Sequence, residues 1–288
     1  MRSQKTIRKK ATLSGIGVHT GNTVELVIHP AEINTGIRFV RSDLPDKPEV
    51  KADINNVVGF TRGTTIAENG AKVHTVEHIL AAINAFGITN AILQLNSNEP
   101  PVDDGSSLTF VQVLQEAGIE EQDAVIDVFQ PQEPIYVRDN DIILVVLPYD
   151  GFRISYTVSF THPSLKAQYL SLDITRDSFI SEIAPSRTFC FYREVEALMD
   201  QGLIKGGSLD NAVVIGDNAI FSKEKLRFHN EFVRHKILDL IGDTYLLGVP
   251  LSAHIIAVKS GHATNLKLTK ALYDAYTKEK KQCELSSQ

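Results

Sequence analysis

Residues 75–95, TVEHILAAINAFGITNAILQL, predict a helix followed by a buried strand. Apolar side chains recur at helical spacing from Val76 to Phe86, and Gly87 is a residue type that commonly ends a helix. The aliphatic run at residues 91–95 is typical of a strand. This helix and strand form the unit from which the rest of the fold can be inferred.

The same order of elements recurs in residues 234–258, RHKILDLIGDTYLLGVPLSAHIIAV. Residues 77–80 correspond to 235–238, and the strand at 91–95 corresponds to 254–258. Self-similarity of this kind indicates an internal duplication of one strand-and-helix unit. Because a sheet must bury its apolar face against another layer, we predict an α+β fold in which two similar units pack face to face and cover their sheets with helices.

The boundary between the two units is predicted near residues 121–134, which gives domains of residues 1–125 and 126–288. Two segments, residues 61–71 and 161–169, have no counterpart in the repeat. We expect each to be a small insert, serving as a lid or as a wall of the substrate site.

Two pairs of neighbouring strands are also predicted. Residues 12–29 contain three glycines and an alternating apolar stripe, which indicates a hairpin. Residues 142–147 and 152–160 are expected to pair with each other across the turn at residues 149–151.

His235 and Asp239 form the first candidate pair of metal ligands. Positions four apart in a helix lie on the same face, and this face is opposite the apolar stripe of their helix. The pair is therefore directed away from the core of its own unit and is free to face the other unit. A histidine and an aspartate at this spacing are also common on solvated helix faces, so the pair alone does not establish a metal site.

Glu77 and His78 lie in the first turn of the earlier helix, away from its apolar stripe. The positive end of the helix dipole favours an ionised Glu77 and a neutral His78. Those are the forms needed for a general base and for a metal ligand. The alternative is an ordinary first-turn glutamate that stabilises the helix dipole.

If the two helices converge, His78, His235 and Asp239 offer three ligands to a metal and leave a fourth position open, as in catalytic zinc sites. Glu77 would then lie beside the metal as a base, and the chain would be a metal-dependent hydrolase. His262 begins a further predicted helix and is a candidate general acid, with a capping or exposed histidine as the alternative.

Two other classes of protein stay open at this point. Residues 74–78 match H-x-x-E-H, the motif of inverted zinc peptidases, with His74 and His78 as ligands and Glu77 as the base. That reading requires His74 inside the helix, whereas a helix that begins at Thr75 leaves it outside. The third class is a non-catalytic binding protein braced by a metal, which would require four protein ligands and a closed site.

Composition indicates a globular protein without a basic surface. The 288 residues carry a formal net charge of -6, which argues against nonspecific nucleic-acid binding. No apolar run approaches the roughly 20 residues needed to span a bilayer, and no signal core follows the basic N-terminal segment. Cys190 and Cys283 are too few for a disulfide framework. We therefore expect a cytoplasmic monomer that acts on a small molecule and binds no nucleic acid.

Seven short motifs occur in one order along nearly the whole chain. They are Ser14-Gly15-Ile16-Gly17-Val18-His19-Thr20-Gly21, Thr75-Val76-Glu77-His78, Asp104-Gly105-Ser106, Ser186-Arg187-Thr188-Phe189, Gly206-Gly207-Ser208, Val233-Arg234-His235-Lys236-Ile237-Leu238-Asp239 and Ser260-Gly261-His262. Each motif alone is weak, but the ordered set is highly specific. At these motifs the chain resembles the UDP-3-O-acyl-N-acetylglucosamine deacetylases of lipid A biosynthesis.

The resemblance implies a two-domain α+β sandwich, with helices packed between two sheets and the active site between the layers. It implies one Zn²⁺ per chain, held by His78, His235 and Asp239, with Fe²⁺ as the other metal that such a site can take. It excludes His74 from the site. The segment at residues 161–169 matches the insert that walls the passage for the acyl chain.

The resemblance also implies the reaction and the roles of further residues. The reaction removes the N-acetyl group from UDP-3-O-(3-hydroxyacyl)-N-acetylglucosamine and yields acetate and UDP-3-O-acyl-glucosamine, in the committed step of lipid A biosynthesis. The base falls on Glu77, the second catalytic group on His262, and the threonine that contacts the oxyanion on Thr188. Lys236 and Phe189 match positions that contact the substrate.

The chain departs from the family's pattern at two positions. Cys190 stands where relatives often carry glycine or alanine, and Leu147 stands where some members place a lysine near the nucleotide. Neither position belongs to the implied metal site or to the proton-transfer groups. Leu147 leaves the contacts to the diphosphate open.

Overall fold

The helices and strands follow the same order in both halves of the chain. The computed structural model describes residues 1–162 and 165–286. In the first half the elements are β1 (Arg2–Ile7), β2 (Ala11–Ile16), β3 (Thr23–Pro30), β4 (Ile37–Arg41), β5 (Glu49–Lys51), a 3₁₀ turn (Ile54–Asn56), β6 (Val57–Gly59), β7 (Thr65–Glu68), β8 (Ala71–Val73), α1 (Glu77–Ala85), β9 (Ala91–Leu95), α2 (Leu108–Ala117) and β10 (Ile119–Ile126).

The second half repeats the order from β2 to α2 with longer connections, whereas β1 and β10 pair with each other and have no counterparts among its described residues. Its elements are β11 (Ile135–Asp139), β12 (Ile142–Pro148), β13 (Phe152–Val158), β14 (Gln168–Asp173), α3 (Arg176–Ser178), a π-helical turn (Phe179–Ile183), β15 (Phe189–Phe191), α4 (Tyr192–Asp200), β16 (Val213–Ile215), β17 (Ile220–Phe221), α5 (Glu231–Tyr245), β18 (Ala253–Val258) and α6 (His262–Ser286). No helix in the described ranges is both long and apolar enough to cross a membrane.

The two large sheets have equivalent topologies. The first has the strand order β2-β3-β9-β4-β5 and the second β11-β12-β18-β13-β14. In each sheet the strand that follows α1 or α5, which is β9 or β18, is antiparallel to one neighbour and parallel to the other. The predicted α+β fold from a duplicated unit is confirmed. The boundary at residues 125/126 stays a prediction.

One of the two predicted strand pairs is wrong. The hairpin within residues 12–29 is present as β2 and β3, but β12 and β13 do not pair with each other. Both pair with β18, which lies between them. Two inter-strand spacings are about 10 Å, and the three residues of the turn at 149–151 can span that distance. The short turn between β12 and β13 therefore does not make them neighbours in the sheet.

The helices α1 and α5 cross at the centre of the molecule, inside one apolar core that includes residues of both large sheets. Gly242 of α5 faces the start of α1. A Cβ at this position would lie 2.0 Å from the carbonyl oxygen of Glu77, so a side chain here would force the helices apart. The close crossing places the first turn of α1 against the middle of α5.

Each half also carries a small three-stranded sheet outside the repeat, β6-β7-β8 in the first and β15-β16-β17 in the second. The second insert is built from residues 189–221, and not from residues 161–169 as expected. Within that expected segment, Leu165 packs beneath β16 against Val213, and Pro163 and Ser164 lie outside the described residues. The insert escaped prediction because its strands are only two or three residues long.

Candidate metal and catalytic site

Three buried side chains with metal-ligand atoms converge where α1 meets α5. Nε2 of His78 lies 3.7 Å from Oδ1 of Asp239, and Nε2 of His235 lies 3.5 Å from the same oxygen. The ligand atoms of all three residues lie within 4.8 Å of one another. Oδ1 of Asp239 is buried and has no hydrogen-bond partner among the described residues. Because a buried carboxylate oxygen without a donor is costly, the arrangement fits a divalent metal ion bound by the three residues.

The pKa values of these three groups favour the forms that bind a metal. Burial, together with neighbouring His235, lowers the pKa of His78 to about 3. Burial also lowers the pKa of His235. Burial alone would raise the pKa of Asp239, but the positive charge of Lys236 and the nearby histidines outweigh it and lower the pKa. Two neutral imidazoles and an ionised carboxylate result.

Further hydrogen bonds orient the same groups. Nδ1 of His235 lies 3.1 Å from the carbonyl oxygen of Ser186, which leaves Nε2 to face Asp239. The Ser107 hydroxyl donates to the carbonyl oxygen of His78 at 2.8 Å. Nζ of Lys236 donates to Oδ2 of Asp239 at 2.8 Å, so only Oδ1 of that carboxylate faces the two histidines.

Glu77 and His262 form a second group on the other side of Asp239. Nε2 of His262 lies 3.8 Å from Oε1 of Glu77 and 3.9 Å from Oδ2 of Asp239. Burial raises the pKa of Glu77 to about 7. Burial lowers the pKa of His262, but the surrounding carboxylates outweigh it and raise the pKa to about 10. A carboxylate that can accept a proton near neutral pH therefore faces an imidazolium that can donate one.

Two residues that the sequence analysis did not identify connect these groups. Nδ1 of His262 lies 2.9 Å from Oδ2 of Asp243, a fully buried residue of α5. The Thr64 hydroxyl donates to Oδ1 of Asp243 at 2.5 Å, and the Thr64 amide donates to Oε2 of Glu77 at 2.9 Å. Asp243 lies one helical turn beyond Asp239, and that spacing could have revealed it. Thr64 carries no comparable signal, because its contacts depend on the packing of the first insert.

All of the predicted site residues line one cavity of about 390 Å³. The lining includes both groups described above, except Asp243 and Thr64, together with Thr188, Phe189 and Lys236. Much of the rest of the lining is apolar and comes from the second insert: Val195, Leu198, Met199, Ile204, Leu209, Ala212 and Val214. No residue of the described part of 161–169 contributes to it. The cavity therefore combines these polar groups with an apolar lining.

His74 and the two departures from the family pattern lie in different places. Nδ1 of His74 is 2.9 Å from the Thr65 hydroxyl, and its side chain lines a neighbouring cavity of about 320 Å³. It is absent from both clusters of ligand atoms found among the described residues. Cys190 lines the main cavity, and burial raises the pKa of its thiol. Leu147 lies on β12, away from the residues that line this cavity.

A cavity of this kind defines a metal-dependent hydrolase, because the groups that line it can bind an ion, accept a proton from water and protonate a leaving group. Residues 4–274 match the family model LpxC, described as UDP-3-O-acyl N-acetylglycosamine deacetylase. The chain therefore belongs to the UDP-3-O-acyl N-acetylglycosamine deacetylase family and is a hydrolytic enzyme.

Relatives from several bacteria match this chain over nearly their full length. The UDP-3-O-acyl-N-acetylglucosamine deacetylase of Chlamydia trachomatis serovar L2 is 43% identical over 279 residues, which are 96% of this chain and 97% of the relative. The enzyme of the same name from Citrifermentans bemidjiense is 44% identical over 277 residues, which are 95% of this chain and 91% of the relative.

Proposed function

We propose that this chain removes the N-acetyl group from UDP-3-O-(3-hydroxyacyl)-N-acetylglucosamine and releases acetate and UDP-3-O-acyl-glucosamine, in the lipid A pathway of its relatives. The observation that carries the proposal is that a cluster of metal ligands and a cluster of proton-transfer groups line one cavity with a largely apolar remaining lining, in a member of this family. The apolar lining suits an acyl chain, and the polar groups suit an amide.

The proposed metal is zinc, held by His78, His235 and Asp239. Imidazole and carboxylate are ligands that zinc accepts, and Fe²⁺ accepts the same set. When bound, such an ion would polarise the amide carbonyl and lower the pKa of a water molecule to roughly 7. Because all three ligands belong to one chain, we propose that the enzyme is complete as a monomer. With only two cysteines and no disulfide framework in the sequence, we propose a cytoplasmic location.

Glu77 is the proposed general base. Its carboxylate lies beside the ligand cluster, and one oxygen is held by the Thr64 amide while Oε1 faces His262. It would take a proton from the attacking water. His262, kept protonated by the surrounding carboxylates, would stabilise the developing negative charge and deliver a proton to the departing amine.

The remaining predicted residues are proposed to hold the substrate. The Thr188 side chain lines the cavity, where its hydroxyl could donate to the oxyanion of the tetrahedral intermediate. Nζ of Lys236 lies 5.5 Å from the centre of the Phe189 ring. The cavity therefore presents a cation next to an aromatic face. Since Leu147 lies away from the cavity, contacts to the diphosphate must come from other residues.

The test is zinc-dependent release of acetate from the acylated UDP-sugar, compared with its unacylated analogue. We expect turnover of the acylated substrate, and turnover of neither compound after chelation. Glu77→Ala should retain zinc and lose most turnover, whereas His78→Ala should lose zinc.

The matched control is His74→Ala, which should keep both zinc and turnover. Loss of zinc in this variant would instead favour the peptidase of the inverted type. Zinc binding without acetate release from either sugar would favour a binding protein braced by the metal.

A further inference from the structure

Glu99 lies in the loop after β9, and its carboxylate is buried beneath the site without lining the cavity. The residue is only 1% exposed. The amides of His19 and Thr20 donate to it at 3.1 to 3.2 Å, and the Thr20 hydroxyl donates at 3.2 Å. The Thr75 hydroxyl donates to Oε1 at 2.9 Å. One buried carboxylate thus binds two separate segments of the first half of the chain.

The first of these segments is the motif at residues 14–21, which neither the metal site nor the proton-transfer groups account for. Gly17 allows the backbone of this segment to pass close to the Glu99 carboxylate. A Cβ at Gly17 would lie 2.5 Å from Oε2 of Glu99 and 2.6 Å from the Thr20 hydroxyl oxygen. A side chain at residue 17 would therefore displace the Glu99 carboxylate or the Thr20 hydroxyl from this arrangement. Part of this motif therefore encloses Glu99, and Val18 and His19 of the same motif also line the cavity.

The second segment contains a strained residue. Thr75 has φ of +54°, in the left-handed region that β-branched residues strongly disfavour. Such a conformation persists only where the surroundings enforce it. Among the described residues, the Thr75 hydroxyl makes one side-chain hydrogen bond that can hold this conformation, and its partner is Glu99.

The position of Thr75 in the chain makes its conformation important for the site. Val76 already has helical backbone angles, and α1 begins at Glu77. The left-handed turn at Thr75 therefore sets the direction in which the chain enters α1. That direction determines where the side chains of Glu77 and His78 point.

We propose that Glu99 is a positioning residue for this reaction: by holding Thr75 in the left-handed conformation, it fixes the start of α1 and with it the positions of Glu77 and His78. Glu99 acts through Thr75 and contacts neither substrate nor metal. The inference rests on the roles proposed above for Glu77 and His78.

The test compares Glu99→Gln, Thr75→Val and Thr75→Ser as zinc-loaded full-length enzymes. Glu99→Gln and Thr75→Val should each lower kcat about 100-fold, the effect of misplacing a catalytic group by about 1 Å, with KM little changed. Zinc affinity, measured by competition with a chromophoric chelator, should fall about tenfold. Thr75→Ser keeps the hydroxyl and should stay close to wild type in both measurements.

Thr89→Val is the matched structural control. Thr89 is a buried threonine of the same half, and its hydroxyl bonds the backbone amide and carbonyl of Lys5, away from the cavity. Loss of the Thr89 hydroxyl should lower thermal stability but leave kcat and zinc affinity unchanged. If Glu99→Gln and Thr75→Val behave like this control, Glu99 has only a structural role and the proposal is wrong.

A double substitution tests the coupling directly. Glycine adopts the left-handed conformation without strain, so Thr75→Gly removes the need for the hydrogen bond. Adding Glu99→Gln to Thr75→Gly should then reduce kcat and zinc affinity far less than Glu99→Gln does in the wild type. Fully additive effects would contradict the proposal. If the wild type released no acetate, the deacetylase proposal would fail, whereas the zinc affinities would still decide the role of Glu99.

Discussion

Asp243 is the residue on which the orientation of His262 most depends. Its two oxygens are bonded to Nδ1 of His262, to the Thr64 hydroxyl and to the Asn265 amide, and it is fully buried. We expect Asp243→Asn to lower kcat at least about 100-fold, because an amide at this position cannot hold the His262 imidazolium as the carboxylate does. Steady-state kinetics of acetate release measure this loss.

Zinc content separates this effect from loss of the metal. Asp243 is not among the three residues of the ligand cluster, so the Asp243→Asn protein should contain as much zinc as the wild type by elemental analysis. Asp141→Asn is the control, since that aspartate pairs with Lys259 on the surface. An Asp243→Asn enzyme with normal kcat would show that His262 does not need this partner.

Glu231 gives a prediction about stability and pH. Its buried carboxylate accepts from the amide and guanidinium of Arg187 and from the amide of Arg227. Burial alone would raise the pKa of Glu231, but these donors outweigh it and lower the pKa. A lowered pKa means that the native state favours the ionised form. The resulting stabilisation is complete above the ordinary glutamate pKa and is lost as the pH falls through the native value.

We therefore expect Glu231→Gln to lower the free energy of unfolding by about 3 kcal/mol at pH 7, the usual cost of removing one partner of a buried ion pair. The difference from the wild type should shrink as the pH falls below 4.5, because Glu231 then takes up a proton in the unfolded state while the native state still holds it ionised. Urea unfolding at pH 7, 5 and 4 measures both quantities. A difference that stayed constant with pH would rule out ionisation of Glu231 as its source.

At the scale of elements, the crossing of α1 and α5 depends on one glycine. A Cβ at Gly242 would meet the backbone of Glu77, with its Cα at 2.7 Å and its carbonyl oxygen at 2.0 Å. Helix propensity alone would favour Gly242→Ala by about 1 kcal/mol. Because the clash is with backbone, we expect the opposite sign, a destabilisation of about 1 to 3 kcal/mol, together with weaker zinc binding.

Chemical unfolding and zinc titration of the same Gly242→Ala protein check the two effects together. The control is Gly59→Ala, where a Cβ would make only ordinary contacts with Thr65 at 3.6 and 3.8 Å. That variant should keep wild-type stability and zinc affinity. A stabilising effect of Gly242→Ala would contradict this prediction. It would mean that α1 and α5 can move apart and still leave His78 in place.

The elements also show what the sequence could predict. The helical spacing after Thr75 and the repeat at residues 234–258 predicted α1, α5, β9 and β18 because these signals are local. The position of β18 between β12 and β13 could not be read in the same way, since it depends on pairing across a hundred residues. The extent of the second insert was missed because very short strands carry little periodicity.

For the whole molecule, the internal duplication predicted that two equivalent helices would meet, and the structure brings His78, His235 and Asp239 together at that meeting. The spacing of each pair within its own helix could be read directly. The spacing could not show whether His74 or His78 joins the site, because that choice depends on how the backbone turns at Thr75. The resemblance to the family resolved this choice, and the left-handed Thr75 explains it.

Because α1 contributes His78 and α5 contributes His235 and Asp239, a metal bound to all three should resist separation of the two halves. We expect zinc, at a free concentration about a thousandfold above its dissociation constant, to raise the free energy of unfolding by about 4 kcal/mol. Urea unfolding of the chelated and zinc-loaded full chain measures the increment. Far-UV circular dichroism follows both halves, and tyrosine fluorescence follows only the second.

The sequence makes this comparison informative, because all 8 tyrosines lie beyond residue 125. Zinc should shift the tyrosine transition as far as the circular dichroism transition, although one ligand lies in a half without tyrosine. In His78→Ala, most of the increment should disappear from both signals, since the ligand that joins the halves is gone. A tyrosine transition that still shifted fully with zinc in His78→Ala would mean that the second half binds the metal alone, and that the site does not couple the two halves.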